Sequence, residues 1–572
     1  MAEAELAAAA AIDGRVTAAA MGRAVDRAKR AATIKPVEQN VLSGFTRVVD
    51  AKLSLTPALL AALAAAVDAP DLLMAAIDAG PGDGAIVWPR PHTRVEFVAS
   101  LVRQLVLGGG ASMQLQIEPE HGRFLEGVIA AEGGELRRAM GGAGAFASNL
   151  LSVFPSVTPR FFSREPLPRA VADRFSARVE VIDDSGVVKA AHHSADDRPA
   201  RVNFSCEYSS GQAFSVLGRQ AVKIDGVLRP LEISGSGRVI LGTRAKDIVP
   251  GFGDLSDDVI GRLASEHDIA FLVGCHHLTA GTPGAAQTAA QQLATTLHAM
   301  KARHPTLLRH HQYVLPKIAS NEAIVMGATK GAFDSMSMNA VEVPALVTRL
   351  RAGRLTDLGV GIQANQSRDA SEEPGAMIAG ALAVADGMGV ARVHLHGLLG
   401  DLVLHTAGAG AGAVGDDDAT AAGPFSDDTV DVDRVRLALL RARQLASMKA
   451  ANASGEIKGP GDVYDVDPVV QGAGLAAVER FADAIAERYS LSPLARDQVA
   501  ADWHYFDAAH GHHVFFVPSR GIHDRTGGTV SLGDTIDISA LVFSNTVPRP
   551  RVPPQLKART FPASAAATSG AS

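Results

Sequence analysis

Two kinds of apolar pattern alternate along this chain. In the first, apolar residues recur three and four positions apart, which places them on one face of a helix. The segments 94–107, 285–301, 345–353, 377–389 and 432–450 carry this spacing and are predicted as helices. In the second, short runs are rich in β-branched and aromatic residues. The segments 201–208, 212–219, 237–243, 391–397 and 513–519 are predicted as strands on that basis. The run DIAFLVG at 268–274 is apolar nearly throughout, as a strand covered on both faces would be. Residues 529–543 predict strand, tight turn and helix in succession. From about 268 onward this alternation predicts an α/β fold, a doubly wound and mostly parallel sheet with helices on both faces. The consecutive strands of 178–245 predict something different, a small antiparallel sheet set into the larger unit as a lid.

The ends read differently from the middle. Residues 1–38 are Ala-rich and predict a helical extension, with Arg23, Arg27, Lys29 and Arg30 on its polar side. Residues 39–546 form the main body, with lid segments expected near 50–105 and 178–245. The tail 547–572 is rich in Pro, Ala and Ser; it cannot bury enough apolar surface to offset ordering entropy and is expected to be mobile. The Gly/Ala-rich and then acidic stretch 407–428 predicts a surface insertion between a strand and a helix.

Composition narrows the function. The chain has 572 residues, 47% hydrophobic and 20% charged, with a formal net charge of -7. That suits a large packed core, and the absence of any Lys/Arg block argues against a nucleic-acid partner. Cys206 and Cys275 are the only cysteines, which excludes a disulfide framework or a Cys-rich zinc site; both lie in apolar surroundings and are expected to be buried thiols. No run of about 18 apolar residues suggests a membrane span. Glu3, Glu5 and Asp13 in the N-terminal stretch are unlike a secretory signal, so a cytoplasmic location without membrane attachment is expected.

Four groups of residues could carry chemistry. In Thr529–Ile536 a strand ends, small residues turn the chain, and a helix opens. Helix N-termini hold anions, and Asp534 there could accept a proton from a hydroxyl; the same Asp is also what a helix cap requires. Asn339 and Glu342, three apart and expected on one helical face, suit a hydrated Mg²⁺ that also meets phosphates, but equally match a capping box. Gly141 and Gly142 open a glycine-rich run that allows close approach of a ligand or of a packed strand. The paired histidines, among them His310–His311, His394 and His396, lack the spacing of a metallohydrolase site.

Taken together and in order, these pieces resemble the ADP-dependent glucokinase/phosphofructokinase family, over roughly residues 40–548. GGAGAFASNLL is similar to that family's sugar-contact helix, and DSMSMNAVEV to its approach to an NxxE magnesium motif. ARVHLHGLLGDLVLH resembles the strand leading to the adenine pocket, and TVSLGDTID the family's GxGD motif. Val49-Asp50-Ala51 resembles its Asn-x-Asp-Ala sugar site. The resemblance implies a ribokinase-like large domain with a small α/β lid. It implies transfer of the β-phosphoryl group of ADP to glucose or fructose 6-phosphate, with release of AMP. Asp534 would then be the general base. Gly533, with Ser531, Leu532 and Thr535, would form the anion hole at the nucleotide phosphates. His396 would lie by the nucleotide, Asn339 and Glu342 at Mg²⁺, and Asp50, Gly141 and Gly142 at the sugar. The chain departs from the family at three points. Ser531 replaces the first Gly of GxGD, His310 is not followed by a Glu two residues on, and Val48 replaces the Asn of the sugar motif, preceded by Arg47. A sugar- or nucleotide-binding relative without catalysis, and an ATP-dependent kinase, are the alternatives these departures raise.

Overall fold

The computed structural model describes residues 18–82, 86–88, 90–108, 113–134, 136–235, 237–243, 251–280, 282–314, 319–352, 373–406, 430–452, 457, 472–519 and 532–545. Among them, eleven strands form one sheet. Its order runs His504–Asp507, His512–Pro518, Gly400–Thr406, Arg392–His396, Ser335–Asn339, Leu308–Gln312, Ile269–Val273, Gln39–Gly44, Val157–Phe162, Glu180–Ile182 and Val188–Ala190. The seven strands from Arg392–His396 to Glu180–Ile182 are parallel to their neighbours. The outer strands at both edges pair antiparallel. The mostly parallel α/β sheet expected from the alternation is therefore present. Every residue of Ile269–Val273 is buried, because successive side chains serve opposite faces and both faces are covered.

One face carries Leu42, Ala270 and Leu272 against the helices Pro283–Arg303, Pro374–Met388 and Gly472–Tyr489. The other carries Val41, Ile269 and Phe271 against Ala143–Leu151, Val432–Ala451 and Leu532–Ser544. Thr282 caps the first turn of Pro283–Arg303 by accepting from the Ala285 N–H, and Pro283 follows where no intrahelical donor is needed. The helix Ala18–Thr33 docks on this body, with Arg27 over the Trp503 ring at 4.5 Å and Arg30 within 3.5 Å of Asp433. The predicted insertion 407–428, the tail 547–572 and residues 1–17 lie outside the described residues.

A second sheet has five strands, in the order Met113–Ile117, Gly237–Thr243, Val202–Tyr208, Val48–Ser54 and Arg137–Gly141. This differs from the antiparallel sheet expected of 178–245. Val202–Tyr208 pairs parallel with Val48–Ser54, about 150 residues earlier, and Gly237–Thr243 pairs parallel with Met113–Ile117. Glu180–Ile182 and Val188–Ala190 join the large sheet instead. Residues 212–219 do not form the predicted strand. The chain reverses at Leu217 and Gly218, both at positive φ, leaving only isolated bridges. The inner face of the small sheet packs Ala51, Leu115, Phe204, Cys206, Val239 and Leu241 over helices Pro57–Ala65, Pro70–Ala79 and Arg94–Leu107. By alternation, Asp50, Lys52, Asn203 and Ser205 take the other face. No single helix among the described residues is long and apolar enough to cross a membrane; Pro57–Ala65 and Pro70–Ala79 meet that test only together, across a bend of 119°.

A buried ion cluster ties strands of the large sheet to a flanking helix. Arg309 Nη2 lies 2.9 Å and Lys301 Nζ 3.1 Å from Asp334 Oδ1, and the Arg309 Nε and backbone N–H both donate to Oδ2. Burial alone would push the Asp334 carboxyl up, but the Arg309 hydrogen bonds and the two cations hold it below its usual range. Asp334→Ala strands Arg309 without its carboxylate and is expected to cost about 3–5 kcal/mol, read as a lower midpoint in urea unfolding.

Candidate active site

Three adjacent parallel strands end side by side at Gln312, Asn339 and His396. Ligands of open α/β sheets bind at this carboxyl edge. The helix Leu532–Ser544 begins here, with Asp534 half-buried in its first turn. Gln312 Nε2 donates to Asp534 Oδ1 at 2.7 Å. A Cβ at Gly533 would sit 2.7 Å from His396 Nε2, so a larger residue there would displace the His396 ring. One turn on, the buried Asp537 brings its Oδ1 within 3.2 Å of Nδ1 of both His394 and His396. Burial opposes charge on Asp537, but the His396 charge and hydrogen bond outweigh it and bring its carboxyl down to about 2. The same pairing raises His396 against the effect of its own burial. His394 Nε2 in turn faces Asp401 at 3.5 Å, and Arg443 Nη2 donates to Asp401 at 2.7 Å and to the Gly397 carbonyl at 2.6 Å.

Across from this helix stands Asp50 on the polar face of the small sheet, 5% exposed. Burial, with the Asp534 charge adding to it, outweighs the pull of Lys52, Lys449 and the Asn203 hydrogen bond and leaves the carboxyl raised to about 6. Asp50 and Asp534 thus share one electrostatic neighbourhood although they lie in different layers of the molecule. Asn203, its register partner on the next strand, hydrogen-bonds Asp50. A Cβ at Gly141 would lie 2.3 Å from the Asp50 carboxyl carbon, so the glycine makes the room that Asp50 occupies. Gly142 has φ 78° and a Cβ there would meet the backbone of Thr46 and Arg47 at 2.8 Å. The helix Ala143–Leu151 therefore starts against the chain between the two sheets. Gly144 N–H donates to Thr46 Oγ1 at 3.1 Å and Ala145 N–H to the Thr46 carbonyl at 3.0 Å.

Several expected residues converge. Asp534, Gly533, Leu532 and Thr535 open the helix; His396 meets Gly533; Asp50 and Gly141 stand together; the Glu342 charge is felt at His396 and at Tyr313. Ser531, and with it the strand predicted just before the turn, lies outside the described residues. Asn339 and Glu342 are not on one helical face. Asn339 ends a strand, and Ala340–Glu342 forms a 3-10 turn. Asn339 N–H donates to Glu342 Oε2 at 3.1 Å and Val341 N–H donates to Asn339 Oδ1 at 3.0 Å, the reciprocal capping box that the spacing equally allowed. Arg47 is buried in the short link between strands Gln39–Gly44 and Val48–Ser54.

Three residues escaped the sequence reading. Gln312 lay in the RHHQY run, visible there only as a missing Glu. Asn203 was one polar residue in a strand. Lys449 sits in the last turn of Val432–Ala451, where a cation suits the helix dipole. It is 2% exposed, with Nζ 4.6 Å from the Phe146 ring centroid, and no linear pattern separates it from a solvated lysine.

For a magnesium ion the donor set is thin. Among the described residues no group of three or more His, Cys, Asp or Glu is arranged to hold a metal. Glu342 is half-buried beside the carboxyl edge, and one of its carboxylate oxygens accepts from the Asn339 N–H, which fixes the orientation of the group. One oriented carboxylate fits a water-rich Mg²⁺ that is held mainly by substrate phosphates, and not an all-protein cage.

The buried histidines make the protein acid-sensitive. Burial lowers His311 to about 4 and His504 to about 3, and lowers His310, His394 and His405 as well. The unfolded chain binds protons near pH 6.5 that these groups refuse in the fold, so stability falls as pH drops below about 6.5. Asp537, Asp401 and Asp334, all held low, add a further loss below about pH 4. His396 and Asp50, both held high, work the opposite way and favour the fold at lower pH. With eight lowered histidines, His121, His298 and His512 among them, against these two groups, the thermal midpoint is expected to decline from pH 6.5 to 4.5; a midpoint flat over that range contradicts the buried neutral state.

The chain has the fold of the ADP-dependent phosphofructokinases. It superposes on the last common ancestor of ADP-dependent phosphofructokinases from Methanosarcinales with TM-score 0.61 and 17% identity, covering 93% of this chain and 98% of that one. An ADP-dependent kinase in complex with fructose 6-phosphate and ADPβS gives TM-score 0.64 and 16% identity, over 91% and 97%. A phosphofructokinase from Pyrococcus horikoshii OT3 with AMP gives 0.61 and 17%, over 89% and 98%. No family model and no curated protein matches the sequence.

Proposed function

We propose that this chain is an ADP-dependent sugar kinase, moving the β-phosphoryl group of ADP to a hydroxyl of a hexose or hexose phosphate and releasing AMP. The observation that carries this reading is Asp534, half-buried in the first turn of a helix at the sheet's carboxyl edge and in the field of Asp50. Asp50 and Asn203 hold sugar hydroxyls from the small sheet. Asp534 accepts the proton of the attacking hydroxyl as its oxygen bonds to phosphorus and the bond to the AMP oxygen breaks. The N–H groups of the first helical turn face the oxygens of the transferring group, where fixed donors stabilise charge that water would otherwise carry. His396 lies beside Gly533 and faces the same oxygens. Glu342 would hold Mg²⁺ through its carboxylate, and the bound ion would supply charge neutralisation at the phosphates. The ADP preference rests on the family resemblance and on the ligands of the structural neighbours, not on any distance in this site.

The test is an assay for AMP with Mg-ADP or Mg-ATP as donor and glucose or fructose 6-phosphate as acceptor. AMP formed from ADP with one of these sugars supports the reading and names the acceptor. ADP formed from ATP makes it an ATP-dependent kinase. Ligand-dependent thermal stabilisation with neither product makes it a binding protein.

A further inference from the structure

Gln312 ends its strand at the carboxyl edge of the sheet, facing Val273 on one neighbouring strand and Ser337 on the other. It is 4% exposed. Its Nε2 donates to Asp534 Oδ1 at 2.7 Å, and an ionised carboxylate can only accept. That chemistry decides which way the amide points: the nitrogen meets Asp534, and Oε1 faces elsewhere. Oε1 is buried and has no hydrogen-bond partner among the described residues. A buried acceptor left bare is costly, and amide oxygens in such positions are normally satisfied. Here the bare oxygen lies beside the proposed general base, where a ligand would arrive.

We propose that Gln312 is the positioning residue of Asp534 and that its Oε1 accepts an O–H from the bound reactants. This rests on the kinase reading above. A carboxylate at the start of a helix can turn about two side-chain bonds. Pinning Oδ1 from the side leaves Oδ2 to meet the attacking hydroxyl. A neutral amide suits this role, because it donates to the carboxylate without neutralising it by an ion pair, and its own carbonyl remains an acceptor. The O–H donor has two possible sources, a second hydroxyl of the sugar or a water held by the cation near Glu342, and both satisfy the same oxygen.

The test uses the full chain with Gln312→Leu and Gln312→Met, which keep much of the volume and remove both hydrogen-bonding atoms. Thermal midpoints and calorimetric ADP binding are measured alongside turnover. The expected result is kcat lower by about 10- to 100-fold, with ADP affinity within about twofold of wild type. A sugar hydroxyl on Oε1 shows as a raised KM for the sugar. A cation-held water shows as a raised Mg²⁺ concentration for half-maximal rate. A fall in kcat with neither change supports the positioning of Asp534 and overturns the ligand-facing role of Oε1. Turnover within about twofold of wild type in a variant whose midpoint is unchanged overturns the proposal while leaving the kinase reading intact. A wild-type chain that forms no AMP or ADP product sinks both. The two variants differ in shape, so a loss seen in one with a fallen midpoint is assigned to misfolding only if the other, well folded, keeps its rate.

Discussion

Asp534→Asn is expected to reduce kcat by about 10²- to 10⁴-fold while the thermal midpoint and ADP affinity stay close to wild type. The substitution replaces one oxygen with NH₂ and keeps the shape. Gln312 Nε2 can still donate, now to the amide oxygen of the new side chain, so the 2.7 Å contact has no reason to break. Asp534 is half-buried and in the first turn of its helix, where losing its charge forgoes only about 0.3–1 kcal/mol of interaction with the helix dipole. What disappears is the acceptor for the hydroxyl proton. The measurement is single-turnover transfer, which separates chemistry from product release. Near-normal transfer by a folded Asp534→Asn variant would remove the general base from the mechanism and with it the main reason to place the reaction at this helix.

The second large effect is expected at Gly141. A methyl group there arrives 2.3 Å from the Asp50 carboxyl carbon, well inside contact distance, and comes from a rigid strand paired directly with that of Asp50. The Asp50 side chain must move, because neither backbone can. If Asp50 holds sugar hydroxyls, each charge-assisted hydrogen bond lost is worth about 1.5–3 kcal/mol, or roughly 10- to 10²-fold in sugar affinity. Gly141→Ala should therefore raise the KM for the sugar by about 10²-fold with little change in that for ADP. Asp50→Ala should do the same, and the double variant should be no worse than either alone, because both remove one interaction. Additive losses would mean that Gly141 acts on something other than Asp50. Asp50 also gives a pH signature: its carboxyl titrates near 6 in the free protein, so sugar affinity that depends on the ionised form should weaken as pH falls through that value.

Much of the frame was legible because its signals are local. The helix at 94–107 and the buried strand at 268–274 have the periods of their elements, and the structure has Arg94–Leu107 and Ile269–Val273. The capping box at Asn339 and Glu342 was one of two readings of the same spacing, and the structure forms it. The small sheet was misread because parallel pairing of Val202–Tyr208 with Val48–Ser54 leaves no trace in either segment alone. The false strand at 212–219 had the right residue types, but a chain reversal at Leu217–Gly218 outweighed them.

Residue order along the chain was enough to specify the α/β class, the late helix that begins around Gly533 and Asp534, and the double glycine that opens another. Those features depend on neighbours within a few residues, where periodicity and glycine's permitted φ values act. Long-range packing established the rest: that Asp50 and Asp534 share a field, that Gly141 makes room for the Asp50 carboxyl, and that Gln312 holds Asp534. It also buried Lys449 over Phe146 and tied Asp537 to His394 and His396. Each of these joins residues far apart in the chain. Through-space charge, steric exclusion and hydrogen bonding act over a few ångströms regardless of sequence separation, so no reading along the chain could supply them.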